Sequence, residues 1–580
     1  MVSSILYVAV VGFHHKRGCQ VEFCYPPLAN NEGELPVAWQ DLPSLALPDG
    51  AHNVDNDVIY FLLPSLDDPN LSVFGVSCFR QISAEDLLYK SSDVTRCTVQ
   101  KSVCVLSRVP LFGALTAKLQ LITKAYFNER DFAKVEVLSQ MYENLCDMFP
   151  NVETDEQAAV MGMYSHLSHY HMDTSKICSS RFGDRKEIAD ISVQSLVTTF
   201  KHRVLVLFKL LLLEKKVVFY ISPVFQLSQL MVALISLFPR LVEKGLFHAA
   251  SYNRSSVNLS TEDKRFHRQE IEMEMGNDTL KVESAVEDGK STIYFNLELN
   301  ERNKEKFVET TDEVMGRMTE TQLSSDVNAG CSLDVLRNQF LDTDSYGFPL
   351  SIFTKGSLFH PYLSICHLDM IRSDNTRAHC IGATNALFVQ RRDLLDAIVT
   401  VDENGDGYID IMNANLKRAL TLTAADLRFI DFVSKEVEIN AQSPSWEGSD
   451  DWIRLQMRAY LLSLIATVRA DLKCSLGDFN ESFIEEWKMT NNYRIWSSGE
   501  YPDLASTVPR QHFILISHPF TGTIGISDVL LRVEHSVGGS ESGRRVASAV
   551  ANTGKYFSDT SSKMRTSFTS WFKGNTRRAE

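Results

Sequence analysis

The chain has 580 residues, 44% hydrophobic and 23% charged, the balance of a soluble globular protein with room for about two to four domains. A formal net charge of −15 excludes the basic footprint of a nucleic-acid binder. Eleven scattered cysteines without a CxxC pair read as free thiols in a reducing compartment, not as a disulfide framework or a structural zinc site.

The first apolar string, "SILYVAVVGF", has no basic residue ahead of it and no small-residue cleavage site behind it. It reads as a buried strand rather than a signal peptide. With "GCQVEFCYP" beyond "HHKRG" it suits a hairpin, and "NDVIYFLLP", "LSVFGVSCFRQ" and "QKSVCVLSRVP" supply three more strands rich in Val, Ile and Phe. Two helices follow; Leu111, Leu115, Leu119 and Ile122 of the first share one face. Five strands and then two helices predict an α+β module over residues 1–150.

From about residue 185 the pattern changes. "VLVLFKLLLLEKKVVFYISPVFQLSQLMVALISLFP" reads as helix, strand, helix, and "KVVFYIS" is apolar on both faces, as in a covered parallel sheet. Residues 204–213 are about half a membrane span and contain Lys209, so no transmembrane helix and a cytosolic location are expected. An α/β core is predicted over 185–251 and 336–415, interrupted at 252–335 by an insertion rich in Glu, Lys, Ser and Thr that is expected to be mostly disordered. Within the core, "HCIGATNALFVQ" reads as a strand, and "RRDLLDAIVTV" as a short helix entering another strand. Residues 416–535 are expected to be helical. "TAADLRFIDFVSKEV" opens on Thr423, and Ser449, Asp450 and Asp451 are placed to cap the helix that starts at Trp452. The tail, 536–580, carries eight Lys/Arg in an otherwise acidic chain. Its spaced Phe568, Trp571 and Phe572, followed by Lys573, suit a membrane surface; a flexible solvated tail is the alternative.

Motifs for side-chain chemistry are missing. There is no phosphate-binding loop, no HExxH, no GxSxG elbow and no kinase signature. His166, His169 and His171 lie close together, but no acid or cysteine completes a metal set, so three surface histidines are the preferred reading. The pairs Cys366-His367 and His379-Cys380 cannot be ordered into a triad from sequence. No catalytic residue, metal or cofactor is assigned. "VTVDENGDGYIDI" poses the sharpest question. Asp402, Asn404, Asp406 and Gly407 have the spacing of the front half of a calcium loop. Position 12 is Asn413 rather than glutamate, and residues beyond Gly407 alternate with strand period, so a β-hairpin with an acidic turn is favoured.

Several stretches occur together and in order: "VGFHHKRGCQVEFCYPP", "LPDGAHN", "TVQKSVCVLSRVPLFGALTAKLQLITKAYF", "LLEKKVVFY", "YGFPLSIFTKG", "GATNALF", "TAADLRFIDF", "WEGSDDWIRLQMRAYL" and "NYRIW". From about residue 5 to 535 they resemble the DENN-domain proteins, in the branch of late secretory transport and cell migration. The resemblance implies an N-terminal longin-like module, an α/β DENN core and a more helical C-terminal DENN part. It also implies a Rab-type small GTPase as partner, engaged by a guanine-nucleotide exchange factor through a surface spanning both modules, on recycling endosome or late secretory membranes. A non-catalytic scaffold linking transport machinery to membranes is the alternative it leaves open. "LLLEKKVVFY" would be the helix-to-strand step of the core, with Glu214, Lys215 and Lys216 as its turn.

Overall fold

β-Branched and aromatic residues dominate the first hundred positions, and the computed structural model of the chain turns them into strands. It describes residues 3–14, 16–28, 35–89, 97–150, 187–250, 343–470, 473–501, 517–522, 528 and 531–532. All lie in one packing unit, Met1–Ser256 with Arg337–Lys555. Strands β1 (Ile5–His14), β2 (Gly18–Tyr25), β3 (Asn56–Pro64), β4 (Ser72–Ser83) and β5 (Thr98–Ser107) form one antiparallel sheet in the order β2-β1-β5-β4-β3. The "HHKRG" hairpin closes through the Arg17 amide on the His14 carbonyl, with Gly18 at φ +75°, a backbone that glycine adopts without strain.

Both faces of this sheet are covered. Helix α1 (Phe112–Asn128) packs on β4 and β5, and α2 (Glu136–Met148) lies beside it on β1 and β2. Leu111, Leu115 and Leu119 are buried as the spacing predicts, and Ile122 is half-buried. A short helical turn, Leu42–Ala46, crosses the opposite face, where the Ser77 hydroxyl donates to the Ala46 carbonyl. Double coverage explains why β3 is apolar and β4 buried along most of its length instead of alternating.

The second sheet is mixed. β6 (Lys216–Tyr220), β7 (Ser357–His360), β8 (Ala378–Ala383), β9 (Ala397–Val401) and β10 (Gly407–Ile411) stand in the order β10-β9-β6-β8-β7. The pairs β7–β8, β8–β6 and β6–β9 are parallel; only β9–β10 is antiparallel. Helices α3 (Val193–Phe200), α4 (Arg203–Leu212) and α5 (Val224–Ile235) precede and follow β6. "HCIGATNALFVQ" is a strand only as far as Ala383; it then turns into a helical segment, Leu387–Gln390. Side-chain bonding explains the break, because the Asn385 side chain accepts the Leu387 amide and starts the turn.

The later part is helical: α6 (Ala414–Ala419), α7 (Ala424–Gln442), α8 (Asp450–Ala470), α9 (Glu481–Lys488) and α10 (Asn491–Ser497). Thr423 and Asp426 form a full capping box on α7. At α8, Ser449 accepts the Trp452 amide, but Asp450 does not cap its own helix. Its carboxylate takes the Val193 and Gln194 amides, at 2.6 and 2.8 Å, and so caps α3. Among the described residues no helix is long and apolar enough to cross a membrane. The 252–335 insertion and the 536–580 tail lie outside the described residues.

Candidate functional site: the seam between the two sheets

The acidic turn at 402–407 spends its ligands on itself. One Asp402 carboxylate oxygen accepts the amides of Asn404 and Asp406, both at 2.9 Å, and the other accepts the Tyr408 hydroxyl at 3.3 Å. These bonds hold the Asp402 carboxyl below the usual carboxylate range, the Asp406 amide first among them. Asp406 is paired with Lys201 at 2.8 Å. β10 begins at Gly407, and Asn413, the would-be twelfth ligand, caps α6 by accepting the Asn415 amide. The loop is an Asx-type turn between paired strands, the Asp402 oxygens taken up within the turn and an Asp406 oxygen by Lys201.

Of the candidate chemistry, His166, His169 and His171 lie outside the described residues, as do Phe568, Trp571, Phe572 and Lys573 of the tail. Among the described residues no group of three or more His, Cys, Asp or Glu could hold a metal ion. Cys366 and His367 do meet: the sulfur lies 3.2 Å from Nδ1, and Nε2 lies 3.6 Å from an Asp41 oxygen. Cys366 itself is exposed, and its sulfur also meets the Ser44 and Ser364 hydroxyls, at 3.1 and 3.6 Å. His360 and His379 are buried on the adjacent strands β7 and β8, and among the described residues neither ring nitrogen of either finds a hydrogen bond. Burial pushes both down to about 3, helped at His360 by His367 and at His379 by Lys216.

What the structure does build is a joint between the two sheets. Asp57 of β3 is buried, and its two oxygens accept the Val224 and Phe225 amides at 3.0 and 2.8 Å, capping α5 from the other module. Ser228 of α5 in turn reaches the Tyr60 amide. A second tie comes from Asp49 in "LPDGAHN". Its carboxylate accepts the Ser364 hydroxyl and the Ile365 amide, both at 2.9 Å, while its own amide donates to the buried Tyr362 hydroxyl at 2.7 Å. Asp41–His367 and Cys366–Ser44 add to this seam. Both carboxylates project from the first module into backbone amides of the second, so the sheets are registered by directional bonds as well as by apolar packing.

Two further knots fix the helical part to the second sheet. Lys209 and Asp426 are both fully buried and paired at 2.5 Å. The Asp426 carboxylate also accepts the Tyr460 hydroxyl at 2.8 Å and the Thr423 amide at 3.1 Å, and lies 3.3 Å from His518 Nε2. Burial alone would raise this carboxyl; the Lys209 ammonium and the His518 contact outweigh it and hold the group well below the usual carboxylate range. Glu214, at φ +49°, accepts the Asn491 and Asn492 amides at the start of α10 and pairs with Arg377. The Trp496 indole on that helix donates to the Tyr346 carbonyl. Beside it, Asp344 is held by Arg240 at 3.2 Å and Lys244 at 2.8 Å. Lys209 was visible in sequence as one charge inside "VLVLFKLLLL", and its partner was not.

A family model described as the transport protein Avl9 matches residues 5–468, most of the chain. This chain belongs to the Avl9 family. It is 27% identical over 530 residues to the late secretory pathway protein avl9 of Schizosaccharomyces pombe, covering 88% of this chain and 90% of that protein. It is 28% identical over 557 residues to the late secretory pathway protein AVL9 of Saccharomyces cerevisiae, covering 88% of this chain and 60% of that longer protein. The knots and seam at Asp49, Asp57, Lys209, Glu214 and Asp426 all lie within the span matched to Avl9.

Proposed function

We propose that this Avl9-family chain acts in late secretory membrane transport by binding a Rab-type small GTPase and accelerating its nucleotide exchange. The names of its relatives support the pathway. The seam is what favours the rest: Asp49 and Asp57 hold the two sheets in fixed register, as a protein that must grip two regions of a partner requires. On this reading the antiparallel sheet with α1 and α2 is a longin-like module and the mixed sheet is the DENN core. Exchange needs no nucleophile. A protein that binds the open or nucleotide-free GTPase better than the loaded one weakens nucleotide binding by linkage, and disturbing the magnesium and switch contacts is enough. The tail, through Phe568, Trp571, Phe572 and Lys573, supplies peripheral contact with recycling endosome or late secretory membranes.

The test is release of fluorescent GDP from a panel of purified Rab proteins. Acceleration of one or a few is expected. If the chain binds a Rab without accelerating release, it is a scaffold that links transport machinery to membranes; if it neither binds nor accelerates any, the GTPase reading is wrong. For the tail, co-sedimentation with anionic liposomes should weaken on replacing Trp571 and Phe572 by alanine, and unchanged sedimentation removes the membrane role.

A further inference from the structure

Past the last helix, a short stretch of chain is held against the helical part. Residues 517–522 and Asp528 dock on α7, α8 and the turn Gly477–Phe479. His518 is fully buried. Its Nδ1 accepts the Phe520 amide at 3.0 Å, which leaves Nε2 to donate to the Asp426 carboxylate at 3.3 Å. The imidazole lies 5.4 Å from the Tyr460 ring and 4.8 Å from the Phe479 ring. The Phe520 ring meets those of Phe429 and Phe432, at 5.9 and 5.5 Å. Polar ties complete the contact. The Thr521 hydroxyl donates to Asp478 at 2.5 Å. Arg428 donates to the Phe520 carbonyl at 3.0 Å and to both Asp528 oxygens at 2.7 Å.

This stretch is held as a ligand is held. Among the described residues no backbone–backbone hydrogen bond joins it to a helix or strand. The Thr521 amide donates to the His518 carbonyl at 3.0 Å, which closes a turn of its own with Pro519 at the second position. It can therefore lift away without breaking secondary structure. A buried histidine and a half-buried phenylalanine must offset the entropy of ordering the whole stretch, which places it at the low-stability end of the fold. The site beneath it does not depend on it. Asp426 is still oriented by Lys209, the Tyr460 hydroxyl and the Thr423 amide. Asp426, Arg428, Phe429, Phe432 and Tyr460 lie inside the span matched to Avl9, residues 5–468, and the stretch that fills the site lies past it.

We propose that the stretch from Ser517 to Asp528 is a releasable strap, an internal ligand that closes a peptide-binding site on α7 and α8, and that a partner's segment of the same pattern takes its place. That pattern is a histidine, an aromatic residue two positions on within a tight turn, and a carboxylate beyond it. The histidine donates to Asp426 from between aromatic rings, and the aromatic residue packs on Phe429 and Phe432. Arg428 clamps the carboxylate through two parallel bonds, a geometry that selects a carboxylate over a neutral side chain. The turn is formed before binding, so less ordering entropy opposes the exchange.

Two measurements on the full chain test it. The first is amide hydrogen exchange of the unaltered chain, where the Phe520 and Thr521 amides should exchange at least about tenfold faster than the interior of α7. Exchange as slow as that of α7 would mean that the strap opens only with global unfolding, and would overturn the proposal. The second is binding of a fluorescent peptide with the sequence of residues 515–530, followed by anisotropy. It should bind a His518→Ala, Phe520→Ala chain at least about tenfold more tightly than the unaltered chain, where the tethered strap competes at high effective concentration. Adding Arg428→Gln to the released chain, or replacing the histidine and phenylalanine of the peptide by alanine, should abolish binding. The released chain should still melt cooperatively, because Asp426 keeps its other partners; if it does not, Asp528→Asn takes its place. A peptide that binds neither released chain, or binds released and unaltered chains alike, refutes the site.

Discussion

The Lys209–Asp426 pair makes an asymmetric prediction. Both side chains are fully buried, and removing one member of such a pair costs about 3–5 kcal/mol because a charge is left behind. The two removals leave different charges. With Lys209→Met, the Asp426 carboxylate keeps Tyr460, Thr423 and His518 within 3.3 Å. With Asp426→Leu, the ammonium keeps, among the described residues, the Phe479 carbonyl at 3.2 Å and the Phe483 ring face at 5.0 Å. Because hydrogen bonds to charged groups contribute roughly 1.5–3 kcal/mol each, Lys209→Met falls near ~3 and Asp426→Leu near ~5 kcal/mol. The double variant leaves no buried charge and strands only neutral donors, so it should cost about 4 kcal/mol, well below the sum. The assay is a double-mutant cycle on urea unfolding, read by the fluorescence of Trp446, Trp452, Trp487 and Trp496 in the helical part. Additive effects, or a Lys209→Met variant less stable than Asp426→Leu, would refute the account. Since the folded Asp426 pKa is depressed, its contribution is present at neutral pH and is lost only as pH falls below the ordinary carboxylate range.

Acid acts earlier through His360 and His379. Their folded pKa values, lowered to about 3, mean that the unfolded chain binds more protons below about pH 6.5, so at pH 5.5 the two together remove roughly 3 kcal/mol of stability. Melting temperature should therefore drop between pH 7.5 and 5.5, and a His360→Asn, His379→Asn variant should show a flatter slope. Calorimetry should detect no calcium binding tighter than roughly millimolar, while Asp402→Ala should lower the melting temperature by freeing the Asn404 and Asp406 amides. Gly407→Ala drives a methyl into the buried Phe200 ring and should cost about 1–3 kcal/mol in thermal melts. Asp49→Ala should leave each sheet folded but raise protease sensitivity at the Asp49–Ile365 seam, because Ser364 and Ile365 lose their acceptor.

Local pattern carried much of the fold. The five strands, the two helices after them and the two-faced strand β6 were legible because each depends on residues close in sequence. The acidic turn was legible for the same reason: Asn413 and the alternation after Gly407 lie within a few residues of the motif. What could not be read were partnerships across long separations. Asp450 sits where a helix cap should be, and nothing nearby reveals that it caps α3, 257 positions away in chain order. Asp57 looks like a strand-edge charge until α5 arrives with two bare amides. Lys209 in its apolar string signalled a buried charge needing a counter-ion, but Asp426 reads locally as the third residue of a capping box and serves both roles. The sheet orders themselves are of this kind, since β6 finds β8 and β9 only after more than 150 residues.

The clamp of Arg240 and Lys244 on Asp344 has a bearing on how this gene can vary. The three residues bracket the stretch between Ala250 and Thr343, and the ion pairs tie the segment before it to the segment after it. Closing that gap is then set by side chains at its base, and the entropy of joining the ends grows only slowly with the number of residues between them. The position is therefore a natural place to add residues: a fluorescent reporter or an epitope inserted between Ala250 and Thr343 should leave the Arg240–Asp344 and Lys244–Asp344 pairs in place. The protein could be followed in cells with both of its termini left as they are.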